Sequence, residues 1–495
     1  MNLKDLKTYP HFKRDREEFV KIFNTFKFCP VPFVSLYSNF SDGKLRPCCV
    51  SNTQKAMDKT LLKDDSTYYN DFVESVWLSD EWKEARESFL NGEFPKTGCE
   101  TCIDRESRGM LSDRFTHLQR NNEWLIENFK NLSVEIGNPQ GSPFDMDLRP
   151  SNLCNLTCRM CTTVNSSKLN DDVEKFPHLR EWVGTSNYPT NKAEQTMETV
   201  KNLNLQKIKY LKLLGGEPLA DPAIVQTLQH VVASGHAKNM TLNMTTNATL
   251  IHRYLKLLSN FKGLSLSISL EGTGKTFEYI REGARWDKVL SNYQKLQQMD
   301  NVSHIGINLV FSMHNIFTVE EWLPWFINTW QSQFYEHKNK NSHIKIGPVN
   351  IMRMRNKPWL CPSILDEEDK VWFRNTVSKI LNEHNVNPDD PKCEPWYKES
   401  SQNKQAYKKV IVPLDTLLDV KQGEGFYITS AARSYTEKKL GQVYDQHKWR
   451  TLAKENPLPP REDLLDMFKR HTNDFDVVKK TNILDLSPKY EKYVV

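Results

Sequence analysis

The chain has 495 residues, of which 26% are charged and 38% hydrophobic, and carries a net charge of +5 from 67 Lys and Arg against 62 Asp and Glu. So small an excess gives no argument for nucleic acid or an anionic membrane as partner, and no run of 18 apolar residues predicts a membrane-spanning helix. Ten cysteines are too sparse for a disulfide scaffold, and with a charged amino terminus lacking an apolar h-region they lead us to expect a reducing, cytoplasmic setting.

In the amino-terminal third, FCPVPFVSLYSNFSDGKLRPCCVS reads as a strand, an Asp42-Gly43 turn and a returning strand. Cys29 stands before it and Cys48 and Cys49 at its end. A helix follows in LSDEWKEARESFLNGEFP, with a Ser79 cap, an apolar stripe of Trp82, Ala85 and Phe89, and an Asn91-Gly92 stop. Directly after it, TGCETC sets Cys99 and Cys102 in a CxxC loop. Neighbouring residues on a strand point to opposite faces, so Cys48 and Cys49 cannot both serve one centre. Hairpin cysteines with a CxxC also fit a zinc ribbon, and that alternative stays open.

From residue 140 onward the chain alternates strand-like and helix-like segments, the pattern of a parallel sheet with crossover helices. Strands are expected at 144–149, 208–214, 239–246, 263–270, 303–312 and 343–350, with helices at 163–172, 192–204, 221–235, 249–260, 274–299, 316–335 and 366–384. Six units are too few to close an eight-stranded barrel, so the sheet should curl into an open, partial one. After the first strand, LRPSNLCNLTCRMC places Cys154, Cys158 and Cys161 within eight residues. Thiolates suit iron-sulfur clusters, and three in one loop would leave a fourth iron open. Structural zinc wants a fourth Cys or His nearby, and only His178 follows before residue 200, on a separate charged segment.

The second strand runs into Gly215, Gly216, Glu217 and Pro218. Adjacent glycines allow close backbone approach, and the carboxylate can accept hydrogen bonds from an ammonium group. Later strands end in polar groups of the kind that hydrogen-bond sugars and amino acids: Thr245, Thr246 and Asn247, then Ser267, Ser269 and Glu271 before Gly272, then Asn308. A Thr-Asn pair at a strand end is also an ordinary turn former or helix cap. Beyond residue 366 the rhythm fades into helical segments joined by proline-containing linkers at 456–460, read as a mostly helical extension that closes the open side of the barrel or grips substrate. Cys361 and Cys393 are read as inert buried thiols, with ligation or hydrogen donation as the alternative.

The three-cysteine loop after the first strand, with Gly-Gly-Glu-Pro after the second, resembles the radical S-adenosylmethionine (SAM) superfamily. The resemblance implies a partial (β/α)6 TIM-like barrel at 140–365, a 4Fe-4S cluster on Cys154, Cys158 and Cys161, and bound SAM. Gly215, Gly216 and Glu217 would then meet SAM, Thr246 and Asn247 would lie near its methionine part, Ser269 and Glu271 would face its ribose, and Asn308 would join them. The residue before the third cysteine is usually aromatic in that superfamily, and here it is Met160. The cysteine-rich segment within 1–120 resembles SPASM and twitch auxiliary-cluster domains, which usually follow the barrel rather than precede it. By that resemblance Cys29, Cys48, Cys99 and Cys102 would hold an auxiliary iron-sulfur cluster, Cys48 being preferred because it follows Pro47. The implied reaction is reductive SAM cleavage followed by hydrogen abstraction, with a flavodoxin or ferredoxin as electron donor and a peptide or protein side chain as substrate. A small metabolite such as a sugar or nucleotide is the second enzymatic reading, and a non-catalytic cysteine-metal binding module the non-enzymatic one.

Overall fold

The computed structural model describes residues 27–39, 44–46, 48, 59–60, 77, 79–95, 98–99, 102–103, 114, 117, 143–185, 200–201, 204–339, 345–354, 357–384 and 460–495. The Asp42-Gly43 turn, Cys49, Cys393, most of the helix expected at 192–204 and the linker at 456–459 lie outside these residues. Nine strands form one sheet: β1 Ser35–Asn39, β2 Lys44–Arg46, β3 Lys59–Thr60, β4 Asp145–Arg149, β5 Tyr210–Leu213, β6 Thr241–Thr246, β7 Gly263–Ser269, β8 Val302–Phe311 and β9 Lys345–Arg353. Their spatial order is β3-β2-β1-β4-β5-β6-β7-β8-β9. Strands β4 to β9 are the six expected units, all parallel and in sequential order, with helices between them. The architecture is the α/β partial barrel anticipated above.

The amino-terminal hairpin does not stand apart from that sheet. Strand β1 lies parallel to β4, with Ser35 beside Asp145 and Asn39 beside Arg149, and β2 folds back antiparallel on it. Val34, Leu36 and Tyr37 are all buried. A strand apolar on both sides needs cover on both faces, and joining the parallel sheet supplies it.

Alternation along the strands separates two faces. Leu211 and Leu213, Leu242 and Met244, and Leu264, Leu266 and Ile268 are buried in one apolar cluster with Ile224, Leu228 and Val231 of the helix Pro222–Ala233. The intervening Lys212, Asn243, Thr245, Ser265, Ser267 and Ser269 are only partly buried. TIM barrels fill their interior with apolar layers. Here the face turned away from the helices is polar instead, as a ligand cavity requires.

The expected helix at 274–299 is two helices, Gly274–Ile280 and Trp286–Gln297. Gly283, at φ +94°, turns the chain between them. This break has a use: the N–H groups of Thr157 and Arg159 donate to the carbonyls of Glu282 and Ile280, so freed helix-end acceptors hold the cysteine loop. The helix expected at 163–172 starts only at Lys168, because the preceding serines serve the same loop. Ser166 Oγ donates to the carbonyl of Leu156, and Ser167 N to that of Asn152.

The described carboxyl-terminal residues include the helices Glu367–Glu383 and Arg461–Lys479, in keeping with the helical character expected there. The helix Arg461–Lys479 packs against the cysteine loop. Arg159, wholly buried, pairs with Asp476 at 2.9 Å, donates to Tyr279 O, and lies 3.8 Å over the Tyr279 ring. Trp182 Nε1 donates to Asp474, and Arg470 and Lys479 pair with Glu181 and Asp172. Breaking a buried pair by removing one partner typically costs 3–5 kcal/mol, because the remaining charge is stranded. Asp476→Ala should therefore lower the unfolding free energy by about 3 kcal/mol in urea titration; a loss below about 1 kcal/mol, the scale of an exposed pair, would mean that Arg159 is not held in this way.

Candidate active site

The expected residues Gly215 to Glu217, Thr246, Asn247, Ser269 and Glu271 lie at the carboxyl edge of β5 to β7, Asn308 sits within β8 level with Ser269, and the cysteine loop leaves the same edge of β4. Two glycines bring the loop and the β5 tip together. A Cβ on Gly216 would sit 2.3 Å from the carbonyl oxygen of Leu153 and 2.5 Å from that of Asn152; one on Gly215, whose φ is +150°, would sit 2.8 Å from that of Ser151. The close approach these glycines permit is thus to the cysteine loop itself. Glu217 N completes the seam by donating to Leu153 O at 2.8 Å. Ser151 Oγ donates to Asp221 Oδ2 at 2.6 Å, and Asp221 also caps the next helix by accepting from Ala223 N.

Glu217 is buried and ties neighbouring strand tips. Its carboxylate accepts from Thr246 Oγ1 at 2.7 Å, from the backbone N–H of Asn247 at 2.6 Å and from Leu219 N at 3.3 Å. Burial raises its pKa, and these hydrogen bonds oppose the rise. Asn247 Nδ2 donates to Asn155 Oδ1, carrying the network into the loop between Cys154 and Cys158. Glu271 is equally enclosed: both its oxygens accept from Arg281, one through Nη2 at 2.7 Å and the other through Nε. Ser269 and Asn308 sit side by side in the register of β7 and β8.

The three loop thiols are mutually coupled. Burial pushes Cys154 up to about 12, with Cys161 and Glu217 adding to the rise. Burial also raises Cys158 and Cys161, opposed by Arg281 for Cys158 and chiefly by Lys357 for Cys161. Arg281 Nη1 lies 3.9 Å from Cys158 Sγ, within reach of a weak N–H···S hydrogen bond. Ligation needs thiolates, so metal loading here must displace protons that burial otherwise retains. Among the described residues, no three His, Cys, Asp or Glu side chains converge as a site for one metal ion. A cubane takes one thiolate at each of three separate corners, so three soft donors on a single loop beside two cations fit a cluster in their chemistry.

Three of the amino-terminal cysteines, Cys29, Cys99 and Cys102, lie near one another. Burial raises the Cys29 thiol, and Cys99 and Cys102 are near enough to raise it further. The register that sets Tyr37 opposite Arg46 returns the chain towards the start of β1, the end from which Cys29 enters, with half-buried Cys48 two residues on. Because β1 and β4 are parallel and in step, this set flanks the amino edge of the sheet and the Cys154 loop its carboxyl edge. Cys361 is fully buried.

Sequence reasoning missed Arg159, Arg281, Lys357 and Asn155. Arg281 in FEYIREG looks like any arginine at a helix end. Only the Gly283 two positions on marks a chain reversal there, and it does not indicate what the arginine faces.

Residues 148–321 match the family model of the Radical SAM superfamily. That span takes in the end of β4, the cysteine loop and strands β5 to β8. Over that stretch the chain is similar to the Radical SAM superfamily. No curated protein matches the chain. Among solved structures, native anSMEcpe with bound AdoMet and a peptide is 18% identical, with a TM-score of 0.30, over 50% of this chain and 62% of that one. Streptococcus suis SuiB bound to precursor peptide SuiA is 15% identical, with a TM-score of 0.29, over 62% of this chain and 65% of that one. The match spans less than two thirds of either protein. Among the described residues no helix is long and apolar enough to cross a membrane.

With backbone carbonyls so close, Gly216→Ala must push the cysteine loop off the β5 tip. We expect the variant to melt at a lower temperature and, after anaerobic reconstitution, to retain much less iron than wild type; equal iron and an unchanged melt would show that the seam yields freely.

Proposed function

We propose that this enzyme binds a 4Fe-4S cluster through Cys154, Cys158 and Cys161, holds SAM across the carboxyl edge of β5 to β8, and uses it to abstract hydrogen from a peptide or protein side chain. The observation that carries this reading is the seam between the three-thiol loop and the Gly215-Gly216 tip, which gathers soft donors and polar strand ends at one edge. Bound there, the cluster would supply the electron that cleaves SAM to methionine and the 5′-deoxyadenosyl radical. The chain's own residues would bind and orient. Gly215, Gly216 and Glu217 with Thr246 and Asn247 would border the methionine part of SAM, and Ser269, Glu271 and Asn308 the ribose. In this reading Glu217 and Glu271 shape the site largely through groups they hold, Glu217 through Thr246 and Asn247 and Glu271 through Arg281. The polar inner face, with Lys212, Asn243 and Ser265, suits a substrate rich in hydrogen-bonding groups, as a peptide backbone is.

We further propose an auxiliary iron-sulfur cluster on Cys29, Cys48, Cys99 and Cys102. Its position at the opposite edge of the sheet favours electron relay over direct ligation of a substrate at the SAM site. A flavodoxin or ferredoxin would donate the initial electron, in a cytoplasmic setting.

Cys158→Ala is expected to abolish 5′-deoxyadenosine formation under reducing, anaerobic conditions, and undiminished SAM cleavage would refute the cluster assignment. Metal analysis separates the auxiliary alternatives: two cubanes give about eight irons per chain, whereas about four irons with one zinc would identify the amino-terminal set as a zinc site.

A further inference from the structure

Lys357 follows β9 and precedes the short turn Pro358–Leu360, far in sequence from the cysteine loop, yet its side chain ends there. It is 0% exposed. Its ammonium donates to the backbone carbonyls of Arg159 at 3.1 Å and Cys161 at 2.8 Å, the two residues flanking Met160. A lysine is seldom fully buried unless paired, and among the described residues no carboxylate forms an ion pair with this one. The groups packed round it are basic or neutral. Arg159 is already committed to Asp476, and His314 and His471, whose rings stack at 5.7 Å, are held well below their usual pKa by burial and by the neighbouring cations. Burial lowers the lysine's pKa to about 7, and Cys161 opposes that fall, so the ammonium is held by an anion on the cysteine loop.

An uncompensated buried cation costs several kcal/mol, and the charge is tolerated when an anion shares the site. The three cluster-binding thiolates are the anions available. Net charge and hydrogen bonding round an iron-sulfur cluster set its reduction potential, and groups that orient the ligands belong to that control. We propose that Lys357 is a positioning residue for the cluster: it pins the turn carrying Cys161 through two carbonyls, and its positive charge raises the cluster's reduction potential. The consequence is easier uptake of the single electron delivered by an external one-electron donor protein. The inference rests on the cluster assignment made above, and extends it to a residue 196 positions away from Cys161.

Three variants separate charge from hydrogen bonding. Lys357→Arg keeps charge and donors, Lys357→Gln keeps a donor without charge, and Lys357→Met keeps neither. The measurement is an EPR-monitored potentiometric titration of the anaerobically reconstituted full chain, with iron content determined alongside. The expected result is a lower midpoint potential in Lys357→Gln and Lys357→Met than in wild type, with Lys357→Arg close to wild type. Failure of the Gln and Met variants to retain iron while the Arg variant retains it also supports the proposal, through its pinning role. Wild-type potential and iron content in both neutral variants would overturn it. Absence of any reducible cluster signal from wild type would instead overturn the cluster assignment itself, and is distinguishable because it precedes any comparison of variants.

Discussion

Backbone packed on backbone, with no side chain between, is the constraint on which this structure depends. The β5 tip reaches the loop between Ser151 and Leu153 so closely that neither Gly215 nor Gly216 has space for a Cβ. This contact sets the height of the three thiols above the sheet and brings Glu217 under the tip of β6. Around it the chain builds a loop gripped from several sides: helix-end carbonyls of the broken 274–297 segment, serine hydroxyls after Cys161, the ammonium of Lys357, and the carboxyl-terminal helix through Arg159. Each grip uses backbone groups or side chains other than the thiols.

The electrostatics run in the same direction. Without metal, burial raises all three thiols above their usual pKa, and Arg281 and Lys357 only partly offset it. Cations placed beside buried thiols favour the thiolate form once a metal supplies the remaining stabilisation. Glu271 matters here at one remove, because its carboxylate fixes the guanidinium that approaches Cys158.

Local patterns were legible from residues alone. Six strands, their polar tips, the three-cysteine spacing and the Gly-Gly-Glu-Pro turn all depend on periodicity or near neighbours, and each strand stands within a few residues of its expected position. What was not legible depends on distant pairing. Nothing near Arg159 announces Asp476 or Thr481, the latter 322 residues away. Nor does Lys357 in RNKPWL look different from a solvated lysine. The hairpin looked like the start of a separate module because its turn signal is local, whereas its pairing with β4 crosses more than a hundred residues. The 274–299 segment looked like one helix because its apolar spacing continues through a break that a single glycine makes.

The central claim is that the Cys154, Cys158 and Cys161 loop holds a cubane with one iron left for SAM. Mössbauer spectroscopy of protein reconstituted with ⁵⁷Fe, recorded before and after SAM addition, tests it most directly. The account predicts that one iron of the cluster changes its signal on adding SAM while the others hold theirs; a spectrum unchanged by SAM, or a loop that takes up no iron, would contradict it.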